Sequence, residues 1–354
     1  MGEKAIRAEG VGEKDRLAED TLDAWMREHV EGFHGLRSYT KFAGGQSNPT
    51  YRIEDEAGKA YVLRRKPFGP ILPSAHQVER EYRAIAALHP TGFPVARPYA
   101  LCQDEAVIGA DFYIMEMVEG RTFWDGTLPE QEPAERRAIY NSMIGTLARL
   151  HAIDHRAIGL EHHGKTGNYF ERQINTWTKQ YRRSETDELP EMERLIEWLP
   201  TTLPEQTRIA VIHGDYRLDN MIFAPDRPEV AAVIDWELST LGDPLADFTY
   251  LAINWVMAGA SASSLATVDL PELGIPTLDE ATALYCELTE RDGVPELEWY
   301  FAYNVFRLTS ILQGIKKRWL DGTASSAEAE ERAKRVPDLA KMAWEFARKA
   351  GAPG

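Results

Sequence analysis

The chain has 354 residues, 44% hydrophobic and 27% charged, which suits one large two-lobed globular domain or two ordinary ones. A formal net charge of −16 argues against a nucleic-acid partner, because binding a phosphate backbone needs a basic surface. Two cysteines, Cys102 and Cys286, cannot build a disulfide framework and predict a reducing cytoplasm. The charged N-terminus lacks the apolar core of a signal peptide. The uncharged stretch over 248–268 has the length of a membrane span. Asn254 and the Gly and Ser residues over 259–264 instead predict a buried helix followed by a loop.

In chain order, residues 17–30 carry Leu22, Trp25, Met26 and Val30 near helical spacing and predict an amphipathic helix. Three short strands are expected at 39–42, 50–54 and 60–66, with AGGQSNP between the first two. Gly44 and Gly45 let a backbone approach a ligand closely. The N–H groups of such a turn, with Ser47 in it, can cradle phosphate oxygens, and an ordinary hairpin turn is the alternative. In the third strand, AYVLRRKP, Val62 and Arg64 share one face. A helix over 73–88 opens with a capping-box signature at Ser74 and Gln77 and sets Val78, Tyr82 and Ile85 on one face. Glu81 lies beside that stripe, able to turn inward or stay solvated, whereas Glu79 reads as a surface residue. Residues 112–118 form another strand.

Residues 134–153 predict a core helix through Ile139, Met143, Leu147 and Leu150. His151 and His155 have the spacing of a helical metal pair without a third ligand in view, so a hydrogen-bonded core histidine is the preferred reading of His151. A further helical segment over 164–203 carries Tyr169, Trp177, Tyr181 and Trp198. The chemistry lies in IAVIHGDYRLDNMIFAPDRPEVAAVIDWELSTLGDPLAD, residues 209–247. Two branched apolar runs, 209–212 and 230–234, read as buried strands, and each is followed by polar groups held rigidly by it. Phosphoryl transfer needs a carboxylate to orient and deprotonate a hydroxyl, and an amide with a second carboxylate to hold Mg²⁺. Asp215 fits the first role, and Asn220 with Asp235 the second. Each alone is an ordinary turn former; the ordered set after two strands is what points to chemistry. Asp243 and Asp247 are expected to brace this loop, and the remaining chain to be mainly helical.

HGDYRLDN followed by IDWE resembles the aminoglycoside phosphotransferase and choline kinase group. The longer IDWELSTLGDPLAD is most similar to the branch related to kinase-like domains attached to some acyl-CoA dehydrogenases. The resemblance begins at about Phe42 and implies an α+β, bilobal protein-kinase-like fold, with a small antiparallel-sheet N-lobe and a mostly helical C-lobe. It implies a helical extension over 1–36, a nucleotide-binding lobe over 37–118 and a catalytic, substrate-binding lobe over 119–354. It also implies Val62 against the adenine, Arg64 where kinases place a phosphate-binding lysine, and Glu81 as its partner. Met115 then stands behind the base, with the backbones of Glu116 and Val118 bonded to it. ATP, or GTP, with Mg²⁺ and a small-molecule hydroxyl substrate complete the expectation.

A protein kinase is disfavoured by the HGD form, the helical insert and the lack of an APE-type segment after Asp235. A nucleotide-binding module with little catalysis finds its support in Arg64, since arginine differs from lysine in reach and shape. For the substrate the sequence points two ways. Twelve Asp or Glu against Arg291 over 237–298 suit a polycation such as an aminoglycoside. Five Lys or Arg against Glu171 over 165–183 suit an anionic compound, if Arg172, Lys179 and Arg183 line one cleft-facing side, and the resemblance to the acyl-CoA dehydrogenase-attached domains implies a hydroxyacyl one.

Overall fold

The computed structural model describes residues 8–9, 12, 15–42, 48–68, 77–165, 167–258, 263–323 and 328–354. The first third is built on an antiparallel sheet of β1 (Ala8–Glu9), β2 (Leu36–Phe42), β3 (Thr50–Asp55), β4 (Ala60–Arg65), β5 (Pro98–Cys102) and β6 (Phe112–Glu116), in the order β1-β2-β3-β4-β6-β5. Alternation decides which side chains enter its core. Tyr51 and Ile53 of β3 and Tyr61 and Leu63 of β4 are fully buried, packed with Leu22 and Met26 of α1 (Glu19–His29). Val62 and Arg64 therefore point to the opposite face, where α2 (Val78–Leu88) crosses the sheet. Gln77 precedes α2 without a side-chain cap, and Ser74 of the expected capping box lies outside the described residues. The short α3 (Glu105–Ile108) leads into β6.

The chain leaves the sheet through Gly120, where an added Cβ would meet the Phe223 carbonyl oxygen at 2.1 Å. Arg121 and Phe223 exchange backbone hydrogen bonds at 2.8 Å just beyond it, so only glycine permits this close crossing. The rest is mainly helical: α4 (Pro133–Ala152), α5 (Tyr169–Ser184), α6 (Pro190–Trp198), α7 (Leu245–Ala252), α8 (Leu270–Leu273), α9 (Leu278–Leu288), α10 (Leu297–Leu320), α11 (Ala329–Lys334) and α12 (Val336–Lys349). Two small hairpin-like pairs interrupt them. The strand β7 (Ala210–Ile212) pairs with β10 (Thr240–Gly242), and β8 (Met221–Phe223) pairs with β9 (Val230–Val233).

These helices pack on a second, larger apolar cluster that reaches back to α2 through Val78, Ile85 and Leu88. At its centre Phe170 of α5 meets Trp299, Tyr300 and Tyr303 of α10 edge-on. The uncharged stretch expected to be a helix then a loop is α7 followed by a short 3-10 turn over Ile253–Trp255. No described helix is long and apolar enough to cross a membrane.

The helix α4 ends at Ala152, so His155 lies beyond it and the spacing of a helical metal pair does not apply. His151 instead shares a 2.8 Å hydrogen bond with Tyr285, and its Nε2 lies 3.5 Å from Asp247. The basic stripe of α5 points away from the core. Phe170, Ile174 and Tyr181 are buried on one side, while Lys179 and Arg183 are exposed on the other and Arg172 turns back to the Gly167 carbonyl. Helical spacing put the three cations on one face, and packing turned that face to solvent.

Candidate active site

β7 ends at Ile212 and delivers His213-Gly214-Asp215 into a tight turn. The backbone N–H groups of His213 and Gly214 donate to the two carboxylate oxygens of Asp247 at 2.6 and 2.8 Å. Burial would raise the Asp247 pKa, but His151, His213 and the Gly214 N–H outweigh it and keep the carboxyl below its ordinary range. Asp247 thus braces the turn as an anion. Gly214 has φ +86°, and a Cβ there would lie 2.7 Å from the Leu238 carbonyl oxygen, so the turn demands glycine. The His213 ring is buried, with Nδ1 accepting from the Asp215 N–H and Nε2 set against the Ile234 carbonyl. That pattern fits the tautomer protonated on Nε2.

Asp215 is held from three sides. Its Oδ1 accepts from the Tyr250 hydroxyl at 2.8 Å, and its Oδ2 accepts from Asn220 Nδ2 at 2.9 Å and Arg217 Nε at 3.1 Å. Asn220 also donates to the Asp215 carbonyl, so its amide nitrogen is committed and its amide oxygen is the group left to meet a cation. Arg217 continues to Asp219 at 3.0 Å. The Oδ1 of Asp219 is buried without a partner, and burial, opposed by Arg217, pushes that carboxyl up.

β9 leads to Asp235, which adopts φ +66° and ψ 63°, a left-handed conformation unusual outside glycine. Its Oδ1 accepts from Arg64 Nη2 at 2.7 Å. Arg64 also sits 2.8 Å from Glu81 through Nε and 3.7 Å from Glu237. The Nε–Oε2 approach is close but misaligned for a hydrogen bond, so the contact is an ion pair. Glu81 is 1% exposed and also accepts from Asn48 and the Tyr113 hydroxyl at 2.7 and 3.1 Å. Burial raises the Glu81 pKa to about 7; Arg64 opposes the rise, while Asp235 and Glu237 add to it. Burial would also lower the Arg64 pKa, but Glu81, with Asp235 and Glu237 behind it, holds it well above its usual range.

Val62 and Met115 stand opposite each other across β4 and β6, the first buried and the second half-buried. The N–H of Glu116 is already bonded to the Arg97 carbonyl at 2.8 Å, so only its carbonyl remains a candidate for a base, with the half-buried Val118 just beyond the strand. Gly44, Gly45 and Ser47 lie outside the described residues.

The structure thus joins Arg64, Glu81 and Asp235 into one cluster, and Asp215 and Asn220 into another. Sequence reading missed Tyr250, Arg217 and Arg307. Arg307 is buried on α10 and donates to the Gly214 carbonyl at 2.7 Å. A lone charge within the apolar run NVFRLTSI was the available signal for it.

Residues 38–281 match the model of the phosphotransferase enzyme family. The chain is 44% identical to mouse acyl-CoA dehydrogenase family member 10 over 95% of its own length and 32% of that protein's. It is 39% identical to chicken acyl-CoA dehydrogenase family member 11 over 96% of its length and 44% of that protein's. The chain therefore spans less than half of these relatives. Among solved structures, a Ralstonia eutropha protein provisionally termed an aminoglycoside phosphotransferase shares 48% identity with a TM-score of 0.87, covering 94% of this chain and 99% of that one. Spectinomycin phosphotransferase, solved with ADP and spectinomycin, shares the fold at 13% identity and a TM-score of 0.61, covering 93% of this chain and 98% of that one. The chain belongs to the phosphotransferase enzyme family and has its protein-kinase-like fold.

Proposed function

We propose that the protein is a small-molecule kinase that transfers the γ-phosphoryl group of ATP to a substrate hydroxyl. The observation that carries this reading is the setting of Asp215, fixed by Tyr250, Asn220 and Arg217 yet 20% exposed, beside a loop presenting Asp235 to Arg64. A carboxylate held at both oxygens can orient a hydroxyl and take its proton as the oxygen attacks. Val62 and Met115 would flank the base, with the Glu116 carbonyl and Val118 as its backbone partners. Gly44, Gly45 and Ser47 would cradle the phosphates, and the lobes would divide at residues 118 and 119.

The amide oxygen of Asn220 and the carboxylate of Asp235 are hard oxygen donors of the kind Mg²⁺ takes, and two protein ligands beside phosphate oxygens are its usual complement. When bound there, Mg²⁺ would neutralise charge on the transferring phosphate. Asp235 would turn its carboxylate from Arg64 to the cation, and Arg64, still paired with Glu81, would turn Nη2 to a phosphate oxygen. The Arg64–Glu81 pair supports catalysis over the inert nucleotide-binding alternative, because arginine here keeps the partner a kinase lysine would have.

Asp215→Asn tests the reading. We expect turnover to fall at least about a hundredfold while Mg-ATP affinity is kept, as loss of a general base requires. Near-normal turnover in that variant removes Asp215 from the chemistry.

A further inference from the structure

Arg307 is a buried cation with no ion-pair partner among the described residues, Asp215 acting on it only from farther away. It is 7% exposed and donates Nη2 to the Gly214 carbonyl. Its guanidinium carbon lies 5.0 Å from the centre of the Tyr250 ring and 5.5 Å from that of Trp177. Its Nε is buried with no hydrogen-bond partner. Among the described residues no carboxylate stands within ion-pair distance of it, whereas Arg64 has Glu81 and Asp235, and Arg65 has Asp15 at 3.5 Å. Arginine does not shed its proton to escape such a setting. Burial works against its charge, while the surrounding tyrosines and the more distant Asp215 oppose that and keep the guanidinium charged.

The place of this charge gives it meaning. Tyr250, whose ring Arg307 covers, donates its hydroxyl to Asp215, so one aromatic ring separates the guanidinium from the proposed base. Trp177 and Tyr250 are half-buried, so both rings keep some contact with solvent. Resting on the kinase reading above, we infer that Arg307 is the recognition residue for a carboxylate carried by the phosphoryl acceptor. The acceptor is then a hydroxy compound whose anionic end sits between Trp177 and Tyr250 while its hydroxyl meets Asp215. The planar guanidinium matches a carboxylate in shape as well as charge. An anion is favoured beside this cation, and a polycationic acceptor would be repelled.

Calorimetric titration of the full chain tests this, using a length series of straight-chain ω-hydroxycarboxylates, each beside its primary amide, with spectinomycin as a cationic comparison. Titrations are run with and without Mg-AMP-PNP. At least one carboxylate should bind at least about tenfold tighter than its amide, a difference near 1.4 kcal/mol. Arg307→Gln should abolish that preference, and Arg307→Lys should keep part of it, with Mg-AMP-PNP still bound in both. Carboxylates that bind no better than amides in the parent, or a preference that survives Arg307→Gln, overturn the inference. The parent comparison decides the matter alone if the variants do not fold. Failure of the parent to bind Mg-AMP-PNP counts against the kinase reading instead, and the nucleotide-free titrations still decide the role of Arg307.

Discussion

Arg64 faces three carboxylates, and the most deeply buried of them sets a pH dependence. Glu81 has its pKa raised from 4.5 to about 7, chiefly by burial. Between those values the folded state holds a proton that the unfolded state has released, so this group's contribution to stability is full below about pH 4.5 and is lost as pH rises through about 7. The loss amounts to up to about 3 kcal/mol at 1.36 kcal/mol per unit. Glu81→Gln, which cannot titrate, should flatten the fall in urea-unfolding stability between pH 5 and pH 8, and the parent should show it. An equal slope in both proteins would assign the titration elsewhere. Arg64→Met should cost more at pH 8 than at pH 5.5, because only the charged Glu81 is stranded when its partner goes.

Helix α2 carries that glutamate, and a second residue fixes its pose. Arg80 donates to the Ser239 carbonyl at 3.1 and 2.8 Å and to the His163 carbonyl, tying α2 to the loop that follows Asp235. Charge-assisted hydrogen bonds of this kind are each worth about 1.5–3 kcal/mol. Arg80→Ala should therefore speed amide exchange along α2 and raise the KM for ATP, with the fold kept by Val78, Ile85 and Leu88 in the core. Unchanged exchange in α2 would show that the Arg64–Glu81 pair alone holds the helix. The elements also show how far sequence reaches. Helical spacing left Glu81 free to turn inward or stay solvated, and the structure turns it inward, while Glu79, read as a surface residue, is half-buried and pairs with Lys66 at 3.0 Å. Two branched runs located both candidate turns, because short buried strands have few other ways to be written. On α5 the same periodicity grouped Arg172, Lys179 and Arg183, and the core took the opposite side through Phe170, Ile174 and Tyr181. Tyr250 and Arg307 were out of reach for another reason: they meet Asp215 and Gly214 across 35 and 93 residues, a distance only tertiary packing closes.

At the scale of the whole molecule, two apolar clusters meet across polar links. The sheet and α1 form one, the helical part with α2 the other. Arg64 on β4 reaches Asp235 after β9, and the Val233 N–H donates to the Pro94 carbonyl at 2.9 Å. A nucleotide held by Val62 and Met115 on one side and by Asp235 on the other would bridge the same divide, so its binding energy should appear as stability of the entire chain. A ligand present at a hundred times its dissociation constant adds about 2.7 kcal/mol. If Asp235 is a cation ligand, that gain should have a large Mg²⁺-dependent part in the parent and none in Asp235→Asn. The substitution also removes the anion beside Arg64, which frees the guanidinium for phosphate. ATP without Mg²⁺ should therefore stabilise the variant more than the parent. Thermal unfolding with ATP, with and without excess EDTA, measures both effects. A Mg²⁺-dependent increment that persists in Asp235→Asn would place the cation on other ligands, and equal ATP effects in the two proteins without Mg²⁺ would mean that Arg64 does not reach the phosphates.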